Sequence, residues 1–178
     1  MTQAKQPRLR AGLQPFSADL PKADQPMTRA QKQLVQVSFA RLAPSADAVA
    51  EMFYRELFAL GLGLRKLFRG DLARQRQKLM SMLGAAIANL DRLEAIVPAV
   101  RDLGRRHVGY GVEPADYQTV ARALIATLEQ GLGSDFTPAL REAWAICYRV
   151  LAGEMMAGAS EHRADEPSPN RAAQPGIY

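Results

Sequence analysis

Three side chains in the sequence could ligate a metal ion through a ring nitrogen or a thiolate: His107, His162 and Cys147. A single cysteine excludes an internal disulfide and a thiolate zinc cage, because both need several sulfur atoms. Cys147 lies in an apolar helical stretch typical of a core, and His162 lies beside a proline-rich C-terminal segment. His107 is therefore the candidate for an internal imidazole ligand.

The sequence places His107 at the end of a predicted helix, just before Gly109 and Gly111. Taken alone, a lone histidine in this position is more often a helix cap or a surface residue than a ligand. A neutral imidazole nitrogen is nevertheless a good ligand for iron. One histidine is enough when a porphyrin supplies the other four nitrogen donors. The surrounding residues must decide between these interpretations.

The elements that position His107 are predicted to be helices alone. Apolar residues recur at helical spacing between caps and breakers, with no alternating strand pattern and no internal repeat. The pattern predicts six or seven helices, which is compatible with an ordinary helical bundle. Their predicted starts are Thr28 (a capping box with Gln31), Ser45, Asp71, about Arg92, Pro114 and the N-cap pair Thr137-Pro138.

The predicted helix ends follow prolines and glycines. The first helix should end near Pro44, and the last should run to about Glu161. Pro98 is predicted to kink or split the helix that leads to His107, because proline removes a backbone donor. Further breaks are predicted at the pairs Gly61 and Gly63, Gly109 and Gly111, and Gly131 and Gly133.

The chain of 178 residues has room for one domain, which we place at residues 27–162 between proline-rich tails at 1–26 and 163–178. Its composition, 48% hydrophobic and 23% charged, is typical of a globular protein. The charge of +5 is spread among acidic residues, which argues against nucleic-acid binding. The chain shows neither a membrane-length apolar run nor a secretory signal, so we expect a cytoplasmic protein with no membrane partner.

Several motifs occur together in an order that resembles the globin family. They are the run Phe53-Tyr54-Arg55-Glu56-Leu57-Phe58, then Leu67-Phe68, Gln75 with Leu79, His107, Tyr117 and Ala143-Trp144. The resemblance covers about residues 28–160. It is closest to the single-domain bacterial haemoglobins and the globin part of flavohaemoglobins. It implies an all-α globin fold of six to eight helices around haem b (iron protoporphyrin IX).

On the distal side, the resemblance implies that Tyr54 and Gln75 point at the ligand-binding position of the iron. Leu79 lies one turn beyond Gln75 on the same helical face and can close the pocket. Phe68 corresponds to the aromatic ring that wedges the haem. Alternatives stay open: Tyr54 could have its hydroxyl at the surface, and a slip of one residue would turn Gln75 to solvent. Phe68 and Leu79 would be core residues in any helical protein.

On the proximal side, the resemblance makes His107 the iron ligand, with Leu103 and Val112 flanking the porphyrin unless they are simple core residues. Arg106, and Arg105 beside it, could pair with a haem propionate or lie exposed on the surface. Tyr117 matches the tyrosine that supports the ligating histidine. In flavohaemoglobins a glutamate on the last helix completes this support. Its position falls at about Ala159, so the electron push toward peroxidase or dioxygenase chemistry is in doubt.

The functional expectation is a haem protein that binds dioxygen, nitric oxide or carbon monoxide. The sequence favours five-coordinate iron in the ferrous form and leaves the resting coordination state open. Two distal hydrogen bonds of roughly 1 to 1.5 kcal/mol each would slow oxygen release by about one to two powers of ten. That favours scavenging, sensing or nitric oxide detoxification over transport. Nitric oxide dioxygenase activity would need a separate reductase. A gas sensor with a partner protein and a haem-free scaffold are the other classes, and the oligomeric state, a homodimer included, stays open.

Overall fold

The computed structural model describes residues 26–68 and 70–165, and within these ranges the chain forms six α-helices and no β-strand. The predicted all-α fold is confirmed. The helices are α1 (Arg29–Leu42), α2 (Ala46–Leu60), α3 (Leu72–Ala88), α4 (Leu93–Gly109), α5 (Pro114–Leu132) and α6 (Pro138–Asp165). Short 3-10 turns connect several of them. Most of the two predicted tails lies outside the described residues, whereas α6 itself continues three residues past the predicted boundary at 162.

The predicted caps account for four of the six helix starts. At α1 the Thr28 hydroxyl accepts from the Gln31 amide at 3.2 Å, and the Gln31 side chain accepts from the Thr28 amide at 2.9 Å. The Asp71 carboxylate accepts from the amide of Ala73 at 2.8 Å and so begins α3. Pro114 and Pro138 both occupy the first position of their helices, as predicted. These caps satisfy amides that have no partner inside the helix.

Three local predictions are corrected by the structure. Ser45 precedes α2 but makes no capping hydrogen bond, because it already belongs to the 3-10 turn Ala43–Ser45. Pro98 does not split α4, since it lies near the start of the helix, where the missing amide affects only one early carbonyl. Gly131 lies inside α5, and the helix ends only before Gly133, whose φ of 56° favours glycine.

The core forms where α2, α5, α1 and α6 pack together. Trp144 of α6 is 1% exposed, and its indole nitrogen donates to the Ser38 hydroxyl of α1 at 2.9 Å. The Ser38 hydroxyl in turn donates to the Val35 carbonyl at 3.0 Å. This buried polar pair is fully satisfied, so it fixes how α6 lies on α1 without an energetic penalty.

Helices α3 and α4 lie on different parts of this core. Helix α3 packs against α1 and α2, whereas α4 packs against α6. The two helices contact one another at most marginally. Because α3 carries Gln75 and Leu79 while α4 carries His107, the fold separates the predicted distal residues from the predicted proximal ligand.

Candidate haem site

The distal side of the candidate site is built around Tyr54 on α2. Its side chain is 7% exposed and lies among aromatic rings, with centroid distances of 5.3 Å to Phe53, 5.7 Å to Phe58 and 5.4 Å to Phe68. Burial raises the pKa of Tyr54 to about 12, and Gln75 offsets part of this rise as a hydrogen-bonding partner. Tyr54 is therefore a protonated donor throughout the neutral range.

The structure brings Tyr54 and Gln75 together across the contact between α2 and α3. Gln75 is half-buried rather than turned fully to solvent, and it interacts with the Tyr54 side chain. The alternative with the Tyr54 hydroxyl at the surface does not fit a side chain so deeply buried. Two neutral donors of this kind can bind a small polar ligand without introducing a charge.

Leu79 follows Gln75 by one turn and is half-buried against the core cluster. It also lines an apolar cavity of about 20 Å³ that reaches from α1 to α6. The hydroxyl of Thr127 in the cavity wall donates to the Ala123 carbonyl at 2.8 Å, so it is already satisfied. An apolar space of this size next to the distal residues can admit a molecule no larger than water or a diatomic gas.

The proximal side consists of His107 near the end of α4. Its Nδ1 lies 2.7 Å from the carbonyl oxygen of Leu103. A carbonyl can only accept, so Nδ1 carries the proton and the lone pair of the neutral ring is on Nε2. This contact fixes both the tautomer and the ring orientation, which is what a metal-binding histidine requires.

Tyr117 on α5 lies beside His107, with ring centroids 6.4 Å apart. The Tyr117 hydroxyl is buried and has no hydrogen-bond partner among residues 26–68 and 70–165. Burial raises the pKa of Tyr117, and the positive charge of Arg163 counteracts part of that rise. Ala159, at the predicted position of the supporting glutamate, is a buried alanine. Tyr117 thus has both a cation, Arg163, and a carboxylate, Asp116, as electrostatic neighbours. Sequence reasoning missed Arg163 because it assigned that residue to a tail.

The remaining predicted haem contacts divide into half-buried apolar and exposed charged residues. Leu103 and Val112 are half-buried on either side of His107 in the sequence. Arg106 is exposed and pairs with Asp102 at 3.3 Å. Arg105 pairs with Glu161 at 3.1 Å. The structure therefore gives both arginines protein partners, and it leaves a propionate role for Arg106 as a prediction.

The donor chemistry of these residues fits a haem. An imidazole with a free Nε2 lies on α4, while two hydrogen-bond donors lie on α2 and α3. A surface pocket of about 350 Å³, lined by Lys66, Leu67, Gly109 and Tyr110, opens between the turn before Phe68 and the corner after His107. The wall of this pocket is partly polar, with Lys66 beside Leu67 and Tyr110.

The decisive comparison is with protein families. A model of the globin family matches residues 52–155 of this chain. The chain belongs to the globin family. The matched segment begins within α2 and ends within α6, so it includes Tyr54, Gln75, His107 and Tyr117, and the globin family implies haem binding.

Relatives of this globin include flavohaemoproteins and neuroglobins. A flavohaemoprotein from Halalkalibacterium halodurans is 29% identical over 129 residues, which cover 71% of this chain but 31% of the relative. The globin thus spans about a third of that protein's length. Neuroglobin-1 from Oncorhynchus mykiss is 26% identical over 156 residues, covering 78% of this chain and 98% of the relative.

Among the solved structures that are similar to this globin is the engineered carbene transferase RmaNOD from Rhodothermus marinus, a protein provisionally described as a nitric oxide dioxygenase. It has a TM-score of 0.71 and 29% sequence identity, and the match covers 78% of this globin and 96% of that chain.

Proposed function

We propose that this globin binds haem b with His107 as the axial ligand and uses it to bind dioxygen reversibly. The observation that carries the proposal is the 2.7 Å contact between His107 Nδ1 and the Leu103 carbonyl. It leaves Nε2 as a neutral lone-pair donor in a fixed orientation, which is the state that metals bind. Among residues 26–68 and 70–165, no group of three metal-ligating side chains gathers, and a porphyrin needs only one.

Haem with one protein ligand supplies an iron whose sixth position is open to dioxygen, nitric oxide or carbon monoxide. The chain's own residues determine how that position is used. Tyr54 is kept protonated by its raised pKa of about 12, so its hydroxyl donates a hydrogen bond at neutral pH. Gln75 interacts with Tyr54 and orients it. Leu79 limits the access of water to the same space.

A second candidate is nitric oxide dioxygenase activity, favoured by the similarity to the provisionally described enzyme from Rhodothermus marinus. Converting nitric oxide and dioxygen to nitrate leaves the haem oxidised by one electron, so a separate reductase must return that electron. The position expected for a supporting glutamate holds the buried Ala159, which cannot add negative charge to His107 through Tyr117. We therefore rank oxygen binding above dioxygenase turnover.

The test is the absorption spectrum of the purified protein in the ferric, dithionite-reduced and oxygenated forms. His107→Ala is compared with His162→Ala, which removes the second of the chain's two histidines. We expect a Soret band that shifts with reduction and with oxygen in the wild type and in His162→Ala, and that is lost or altered in His107→Ala. Absence of a Soret band after reconstitution of the wild type with haem would reject the proposal.

A further inference from the structure

At two glycines the helix that carries His107 comes into backbone contact with α6. A Cβ atom built on Gly104 of α4 would lie 1.9 Å from the Met155 carbonyl oxygen. A Cβ atom built on Gly158 of α6 would lie 2.2 Å from the Arg101 carbonyl oxygen. Real Cβ contacts essentially never fall below 3.0 Å, so a side chain at either glycine would force the helices apart by about 1 Å.

Ion pairs flank this glycine crossing. Arg101 donates to Glu154 at 2.8 Å and to Glu161 at 3.0 Å, and Arg105 donates to Glu161 at 3.1 Å. Exposed pairs of this kind contribute little stability on their own. Here two arginines of α4 converge on one glutamate of α6, so the network restrains sliding and rotation of one helix along the other.

The crossing lies next to the predicted iron ligand. Gly104 precedes His107 by one helical turn, and its neighbour Leu103 supplies the carbonyl that holds His107 Nδ1. Helix α4 packs on α6 and contacts the other helices at most marginally. A displacement at the crossing should therefore move His107, because α6 is the main helix that packs against α4 among residues 26–68 and 70–165.

We propose that the Gly104–Gly158 crossing, with the ion pairs of Arg101 and Glu161, positions His107 against the haem iron. The inference rests on the proposed haem-binding function and deepens it. These are positioning residues: they contact neither the iron nor its ligand, and they set the height and tilt of the imidazole through the backbone of α4.

The test uses the full-length haem-loaded protein and three alanine variants. Gly104→Ala and Gly158→Ala are compared with Gly153→Ala on α6, which serves as the control. A Cβ built on Gly153 meets no atom within 4 Å apart from its chain neighbours and the backbone of its own helix. All three substitutions make the same chemical change, and alanine has the higher helix propensity. Only Gly104→Ala and Gly158→Ala force the helices apart.

The readouts are the iron–histidine stretching band in the resonance Raman spectrum of the ferrous protein and the rate of haem loss to apomyoglobin. We expect a shifted or split band in Gly104→Ala and Gly158→Ala, and the wild-type band in the control Gly153→Ala. Overpacking strain of the usual size should speed haem loss by roughly 5- to 150-fold in the first two variants. A change that only lowered global stability would leave the band unshifted.

A further variant, Arg101→Met, keeps the backbone contact and removes both ion pairs of Arg101. This variant tests the inference even if Gly104→Ala and Gly158→Ala lose their helix content. We expect Arg101→Met to broaden or shift the iron–histidine band. Folded variants that all keep the wild-type band would overturn this inference alone. A wild-type protein that takes up no haem would overturn the proposed function and this inference with it.

Discussion

The interaction between Tyr54 and Gln75 predicts that the two side chains act on oxygen release as a unit. Each contributes a hydrogen bond worth about 1 kcal/mol, so Tyr54→Phe and Gln75→Leu should each speed release about 5-fold. Two independent donors would give about 30-fold in the double variant. Because Gln75 orients Tyr54, removing either one also weakens the other, and we expect the double variant to reach only about 5- to 10-fold.

The assay is stopped-flow mixing of the oxygenated protein with dithionite or carbon monoxide, which yields the oxygen dissociation rate for the wild type and the three variants. Gln77→Leu is the matched control, because Gln77 lies on α3 two residues after Gln75 but is exposed, so its amide should have no effect on the rate. A double variant at about 30-fold would show that the donors are independent. Unchanged rates in both single variants would refute the assignment of Tyr54 and Gln75 to the ligand side.

Three further predictions concern pH and stability. Because the pKa of buried Tyr54 is raised to about 12, the unfolded chain loses this proton at a lower pH than the folded one. Stability is then fully present below pH 10 and falls as the pH rises toward 12, and melting curves should show a shallower fall in Tyr54→Phe. Ser38→Ala leaves the buried indole N–H of Trp144 without its partner, so it should lower the free energy of unfolding in urea by about 1 to 3 kcal/mol. The control Ser160→Ala, at an exposed site, should leave that free energy almost unchanged. Asp71→Ala should cost about 1 kcal/mol, and Asp71→Asn, which keeps a capping oxygen, should restore most of it; equal losses in the two would contradict the cap.

Local sequence signals predicted the elements that depend on local chemistry. Thr28 with Gln31, Asp71, Pro114 and Thr137 start helices because their side chains or ring satisfy or replace amides at a helix start, and this needs no distant partner. Ser45 is the exception, because a preceding 3-10 turn already holds it. Helix starts can therefore be predicted from the sequence when the interactions that decide them involve only neighbouring residues.

The helix-helix crossings could not be predicted in the same way. Gly104 and Gly158 stand inside helical stretches, where glycine by itself indicates only a weak or broken helix. A side chain is excluded at these two positions by the carbonyl groups of Met155 and Arg101, which lie more than 50 residues away in the sequence. Pro98 was predicted to kink or split α4, yet the helix stays continuous because packing on α6 outweighs a propensity cost near its first turn.

The residues of the candidate site were predicted from the order of the motifs along the chain, not from helical periodicity. Helical periodicity could relate Leu79 to Gln75, but it could not place Tyr54 of another helix beside them. Family resemblance supplied that prediction, and the structure brings Tyr54 and Gln75 together. Arg163 near Tyr117 was not foreseeable, because α6 extends beyond the point at which composition indicates a tail.

The most direct test of the central claim, that His107 is the axial ligand, is chemical rescue of His107→Gly. The cavity left by the missing ring can admit free imidazole, which supplies the same nitrogen donor without a covalent link to α4. We predict that haem-loaded His107→Gly loses the ferrous spectrum and the iron–histidine band of the wild type, and that added imidazole restores the spectrum. A variant that keeps the wild-type ferrous spectrum and iron–histidine band without imidazole would contradict the account.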